Sequence, residues 1–107
     1  MSILTPNNAL DVYHEETTSG KTTWESSPSI IAIECYLEPI SFEMSQMYGL
    51  SSAYTLFKAF TNLADIVRKD KLIDKQGEEY VVHGVQRYEY NTDVESHLEV
   101  IVYKNDV

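Results

Sequence analysis

The stretch that decides the fold reads DIVRKDKLIDKQGEEYVVHGV, residues 65–85. A mixed apolar and charged run leads into DKQG at positions 74–77. Asp favours the start of a turn, and Gly77 supplies the positive φ angle that a short hairpin loop needs at its last position. In the second half, Tyr80 and Val82 alternate with their neighbours and suit a pleated, half-buried surface. The stretch is therefore predicted to be a β-hairpin.

Further segments along the chain show the same alternation of apolar and polar residues. They predict strands at 11–15, 22–25, 29–38, 53–60 and 97–104. A short helical turn is expected over 5–10, because Thr5 suits a helix cap and Pro6 the first helical position. The segments 11–15 and 22–25 are predicted to form a second hairpin. With 107 residues, the chain is expected to be one domain, 1–107.

About six strands with short connections predict an all-β fold. The expected architecture is a small antiparallel β-barrel with one long inserted loop and at most short helical turns. In the most apolar strand, 29–38, strict alternation divides the side chains between two faces. One face is predicted to hold Ile31, Ile33, Cys35 and Leu37, and the other Ile30, Ala32, Glu34 and Tyr36.

Charge and cysteine content exclude several classes of protein. The net charge of −9 argues against a domain that grips DNA phosphates, although it is compatible with a surface that DNA passes without adhering. No apolar run is long enough to cross a membrane, and no secretory signal is expected at the N-terminus. Cys35, the only cysteine, is expected to be a buried thiol in a reducing compartment.

The sequence offers little for catalysis. It lacks a nucleophile-elbow serine and a Gly-rich phosphate loop, so no enzyme activity and no cofactor are expected. His83 and His97 lie on strands expected to be neighbours, but a metal site would need a third ligand such as Glu99. We therefore expect no metal site. Trp24, the only tryptophan, is expected to anchor the core or an interface.

Residues 40–52 form the least strand-like segment between two strands. The segment is serine-rich and has no basic residue, yet it contains five large apolar side chains. Such a loop either covers a core or forms a contact surface. A short helix is the alternative, because several of these side chains share roughly helical spacing. The five apolar residues are Phe42, Met44, Met47, Tyr48 and Leu50.

The order and spacing of several motifs resemble the head-closure, or stopper, proteins of long-tailed bacteriophages, also called head–tail joining or connector proteins. The resemblance covers roughly the last three quarters of the chain. The motifs that carry it are Asp65-Ile66, Asp70-Lys71-Leu72, the run from Gly77 through Tyr80 and Val82 to Gly84-Val85, and His97-Leu98-Glu99. We interpret Asp70, Gly77, Tyr80, Val82 and Gly84 as structural residues of the hairpin. The family often has glycine where this chain has Lys69.

The resemblance implies a virion protein of the phage neck that binds beneath the portal and adaptor and contacts the tail terminator or tail tube. It implies a ring, commonly of about twelve subunits, with a lumen through which DNA passes without specific binding. It also implies that the loop at 40–52 projects inward and closes the DNA channel. The residues expected to act there are Glu38, Phe42, Glu43, Met44, Met47, Tyr48 and Gly49.

Two alternative functions remain open from the sequence. The first is a tail-terminator or other neck protein of the same virion. The second is a small SH3-like module that binds peptides, for which Tyr54, Tyr88 and Tyr90 would supply an aromatic groove.

Overall fold

The computed structural model describes residues 5–40, 56–90 and 96–104. The strands of this part are β1 (Asn8–Tyr13), β2 (Glu15–Thr18), β3 (Lys21–Trp24), β4 (Ile30–Pro39), β5 (Leu56–Thr61), β6 (Lys71–Asp74), β7 (Glu79–Tyr88) and β8 (His97–Lys104). Six of them close an antiparallel barrel in the order β1-β4-β5-β8-β7-β6, and β2 and β3 form a separate two-stranded sheet. The predicted all-β barrel is confirmed. The described residues include no helix long and apolar enough to span a membrane.

The barrel has two distinct ends, set by the antiparallel register. At one end, which we call the loop end, β4 finishes at Pro39 and pairs with the start of β5. The Ile40 N–H donates to the Leu56 carbonyl over 2.9 Å and holds these two strands together there. At the other end, the arm end, β1 stops at Tyr13, and the β2–β3 hairpin begins. We call this hairpin, residues 15–24, the arm.

The barrel interior is built from alternating residues of facing strands. The strand predicted at 97–104 is found as β8, and its Leu98, Val100 and Val102 are all fully buried. Leu10 and Val12 of β1 complete this cluster from the opposite side of the barrel, and Leu72, Val82 and Cys35 join it. Burying such side chains contributes roughly 1.5–3 kcal/mol each, so this interior is the main source of stability.

The predicted alternation of 29–38 is wrong in its first half. Leu10 pairs with Ile33 and Val12 with Ile30, so β4 contains one more residue than β1 over this interval. This bulge turns Ile30 inward and leaves Ile31 73% exposed. Ala32 takes a positive φ of 54°, and its N–H donates to the Asp11 Oδ1 over 2.8 Å. The Asp11 carboxylate thereby accepts a hydrogen bond from the backbone of the bulge.

Two predictions for the N-terminal third also need correction. No helical turn spans 5–10, because β1 begins at Asn8. The Asn7 side chain extends its pairing, accepting from the Leu37 N–H over 2.8 Å and donating to the Leu37 carbonyl over 3.0 Å. The first predicted strand, 11–15, is divided at His14, since β1 pairs within the barrel and β2 pairs only with β3.

The hairpin at 65–85 is confirmed in its centre and shorter in its first half. Its first strand begins only at Lys71, and its turn contains Gly77 with a φ of 87°. In the second strand, Val82 pairs with Val102 but Gly84 with Ile101, so His83 is an extra residue in a second bulge. That bulge brings Val85 back against the core.

Lys69 takes a left-handed backbone conformation, with a φ of 77°. A side chain in that region costs about 1 kcal/mol relative to glycine. We therefore expect Lys69→Gly to raise the free energy of unfolding by about 1 kcal/mol in urea titrations. The neighbouring Arg68→Gly is the control, and because Arg68 has no positive φ it should lose stability instead. A loss of stability in Lys69→Gly would contradict the assignment of strain to this position.

Candidate functional site

Of the seven residues predicted to act in the channel loop, one lies in the described part of the chain. Glu38 is on β4, directly across from Lys58 of β5. Cross-strand partners share a face, so both side chains are on the outside of the barrel, at the loop end. The other six lie outside the described residues, and their predicted roles stay predictions: Phe42, Glu43, Met44, Met47, Tyr48 and Gly49.

The carboxylate of Asp74 holds the hairpin turn together and binds Tyr80, one of the residues predicted to build the hairpin. Asp74 Oδ1 accepts the backbone N–H groups of Gln76 and Glu78, each over 2.9 Å. Asp74 Oδ2 accepts the hydroxyl of Tyr80 over 3.1 Å. Burial together with this carboxylate raises the pKa of the Tyr80 hydroxyl, which stays protonated. The sequence predicted Asp74 as the start of the turn, and these two backbone contacts confirm it, whereas its hydrogen bond with Tyr80 was not predicted.

Gly84 differs from the other hairpin residues. A side chain at this position would meet nothing within 4 Å, and its φ is not positive. Packing within the subunit therefore does not require glycine here. Because Gly84 has no side chain, open space remains on the outer surface of β7.

That space is part of a cleft of about 330 Å³ on the outside of β5, β8 and β7. Its lining residues are Lys58, His83, Gly84, Val85, Gln86, Glu99 and Ile101. Lys58 Nζ lies 3.3 Å from Glu99 Oε1, and both side chains are about one-fifth exposed. Beside the cleft, Phe60 packs against Tyr36 with 6.4 Å between ring centroids. The cleft thus combines an ion pair with neighbouring aromatic surface, a composition suited to contact with another protein.

The histidines do not assemble a metal site. His97 stacks on Tyr88 at 4.8 Å and places its Nε2 3.1 Å from Glu99 Oε2. His97 pairs with Tyr88, five residues along β7 from His83, a separation of roughly 16 Å. Within residues 5–40, 56–90 and 96–104, no group of three metal-ligating side chains comes together.

A second cluster, at the root of the arm, was missed from the sequence. His14 Nδ1 lies 2.8 Å from Asp70 Oδ2, and Asp70 is 1% exposed. On the other side of the ring, His14 Nε2 lies 3.4 Å from Asp65 Oδ2. The hydrogen bond to Asp70 is the main cause of a raised His14 pKa. His14 and Asp70 are 56 positions apart, so no local pattern could have linked them.

The one cysteine is chemically quiet. Cys35 is 1% exposed and belongs to the core cluster, as predicted. Burial raises the pKa of its thiol to about 11, so the reactive thiolate is scarce at neutral pH.

Three tyrosines were predicted to line a peptide groove: Tyr54, Tyr88 and Tyr90. Tyr88 packs on His97, and Tyr90 is exposed. Tyr54 lies outside the described residues.

The described part is therefore a closed β-barrel with an outer cleft and a two-stranded arm. No family model matches the sequence, and no curated protein matches it. Among solved structures, the chain is similar to the phage-like element PBSX protein XkdH from Bacillus subtilis, with a TM-score of 0.59 and 17% identity. The similarity covers 92% of this chain and 94% of XkdH. At this identity, it establishes a shared fold along nearly the whole chain.

Proposed function

We propose that this protein is a non-catalytic structural component of a bacteriophage virion that forms a ring at the head–tail interface and closes the DNA channel after packaging. The observation that carries the proposal is the near full-length similarity in fold to a protein of a phage-like element. The motifs around Asp70, Tyr80 and His97 support it independently, since they follow the pattern of head-closure proteins.

The connection between β4 and β5 is the part of the chain suited to closing a channel. The hydrogen bond between Ile40 and Leu56 ties the two ends of residues 41–55 to the loop end of a rigid barrel. Because the barrel anchors this segment at both ends, the residues of the segment can be selected for function rather than for packing. In a ring, several copies of Phe42, Met44 and Met47 would meet around the axis and exclude water and DNA.

The outer surface is the part suited to contacts between subunits. Each of the six barrel strands pairs with a neighbour on both sides over part of its length, so closure of the barrel reduces the strand edge that another subunit could pair with. A ring contact is heterologous, which means that one patch meets a different patch on the next subunit. The cleft beside Gly84 and the arm are two different patches of this kind. We assign them to ring contacts and to contacts with the adjoining neck proteins.

The charge of the chain fits a channel through which DNA moves. The net charge is −9, and copies arranged in a ring would multiply it. Like charge discourages phosphate adhesion and so favours passage of DNA. Glu38 faces Lys58 across the β4–β5 pair, so its contribution to such a field is partly offset within the subunit.

The decisive experiment removes the protein from the phage that encodes it. We expect heads that package DNA but lose it, and tails that remain unattached. The chain supplied in trans should restore DNA retention and tail attachment.

Purified protein should bind DNA-filled heads and not finished tails. Normal virions without the chain would refute the proposal. Binding to tails alone would refute the head-closure position and favour the tail-terminator alternative. A reconstruction of the intact particle would then reveal the ring symmetry and neighbours.

A further inference from the structure

The arm is joined to the barrel through a small number of contacts. Its strands pair only with each other, from Glu15 with Trp24 to Thr18 with Lys21. Every residue of these strands except Trp24 is exposed. A two-stranded hairpin is marginally stable in isolation. Its orientation relative to the barrel therefore depends on the contacts at its root.

His14 occupies that root, between the last residue of β1 and the first of β2. Its ring lies between two carboxylates, Asp70 at 2.8 Å from Nδ1 and Asp65 at 3.4 Å from Nε2. A neutral imidazole carries only one N–H, whereas the imidazolium carries two. Only the protonated ring donates toward both carboxylates at once.

The other charged groups around the root also favour the protonated form of His14. Glu25 Oε1 accepts the backbone N–H of His14 over 2.8 Å, adding a third carboxylate beside the ring. Lys71, the cross-strand partner of Tyr13, directs its Nζ toward the rings of Tyr13 and Trp24, at 4.7 and 5.4 Å from their centroids. Lys69 contributes its carbonyl, which accepts the Trp24 Nε1–H over 2.9 Å.

We propose that His14 is a pH-sensitive lock that holds the arm in a fixed direction when protonated and loosens it when neutral. The inference is independent of the proposed function, because it concerns only contacts within one subunit. Loss of the proton removes the contact with Asp65 and leaves the buried Asp70 carboxylate without a cation. The neutral ring keeps one N–H and so at most one of its two side-chain contacts, and the arm then depends more on the hydrogen bond between Trp24 and Lys69 and on the contact of Lys71 with the Trp24 ring.

The direction of the pH dependence follows from the two partners. The His14 pKa is raised above 6.5, mainly by its hydrogen bond to Asp70, so the lock is complete below 6.5 and is lost as the pH rises through the raised value. Burial raises the Asp70 pKa above 3.8, with hydrogen bonds from Val67 and His14 opposing this. Protonation of Asp70 removes its charge and with it the charged pair. The lock is thus confined to a window between the raised pKa of Asp70 and the raised pKa of His14.

Trp24 provides the measurement, since it is the only tryptophan and lies at the root. We expect its fluorescence emission to shift to longer wavelength in one sigmoidal step with a midpoint above 6.5, over a titration from about pH 5.5 to 8.5. The His14 ring protons should titrate in NMR spectra with the same midpoint. The shift should be absent in His14→Gln. It should be unchanged in His97→Gln, because the His97 ring stacks on Tyr88 and is not part of the root.

Asp65→Asn gives a second test that does not depend on a buried group, because the Asp65 side chain is 82% exposed. Removing this carboxylate should lower the midpoint while the protein remains folded. A flat emission profile in the wild-type protein would overturn the proposal. So would a step that persists in His14→Gln, or a midpoint that does not move in Asp65→Asn.

Discussion

Asp74→Ala is expected to lower the free energy of unfolding by about 3 kcal/mol, which corresponds to a fall in melting temperature of roughly 15 °C. The substitution removes the acceptor of two backbone N–H groups, those of Gln76 and Glu78. It also leaves the hydroxyl of Tyr80, a residue only 3% exposed, without the carboxylate. Urea unfolding followed by Trp24 fluorescence measures the effect.

Two variants separate the carboxylate from a general disturbance of the turn. Asp74→Asn retains an acceptor oxygen and should lose about half as much stability as the alanine variant. Lys75→Ala changes an exposed side chain in the same turn and should stay within about 0.5 kcal/mol of the wild type. If Asp74→Ala were as stable as Lys75→Ala, the carboxylate would not be what holds the hairpin.

The second large effect is functional. Replacing Phe42, Met44 and Met47 together with serine is expected to produce phage heads whose packaged DNA leaks or becomes accessible to nuclease. The physical reason is that a hydrophilic loop loses the apolar contacts that would seal a ring on its axis. The purified variant should keep its unfolding free energy within about 0.5 kcal/mol, because the residues would act between subunits rather than in a core.

The control for this variant changes the same segment without removing apolar surface. Ser45→Ala and Ser51→Ala together should leave DNA retention unchanged. Two results would contradict the prediction. Intact DNA retention in the triple serine variant would show that the three side chains do not seal the channel. A loss of several kcal/mol in stability would show that they pack inside the subunit.

The sequence predicts the barrel well where one face is simply buried. Leu98, Val100 and Val102 alternate without interruption, and their strand is found as expected. The prediction of which side chains face inward fails at the bulges, because one extra residue reverses the alternation of inward and outward side chains. Ile30 and Ile31 are chemically the same, and the shifted register of β4 against β1 determines which of them turns inward.

The candidate site was less predictable than the barrel. The hairpin residues Tyr80 and Val82 were found because short-range turn chemistry places them. The link between His14 and Asp70 depends on the pairing of β1 with β6, which nothing near either residue encodes. The cleft beside Gly84 likewise depends on the bulge at His83. The channel-loop residues after Glu38 lie outside the described residues, so their roles are for the phage experiments to decide.

The hydrogen bond between Ile40 and Leu56 also has an evolutionary consequence. It joins Ile40 to Leu56 at the end of the barrel opposite the arm, so the paired strands of the barrel separate this junction from the arm. Mutations at two well-separated sites without shared contacts are expected to have independent effects. Under the proposed function, related phages would exchange residues 41–55 as a cassette and so adapt the closure of the channel, while the arm and its contacts are inherited unchanged.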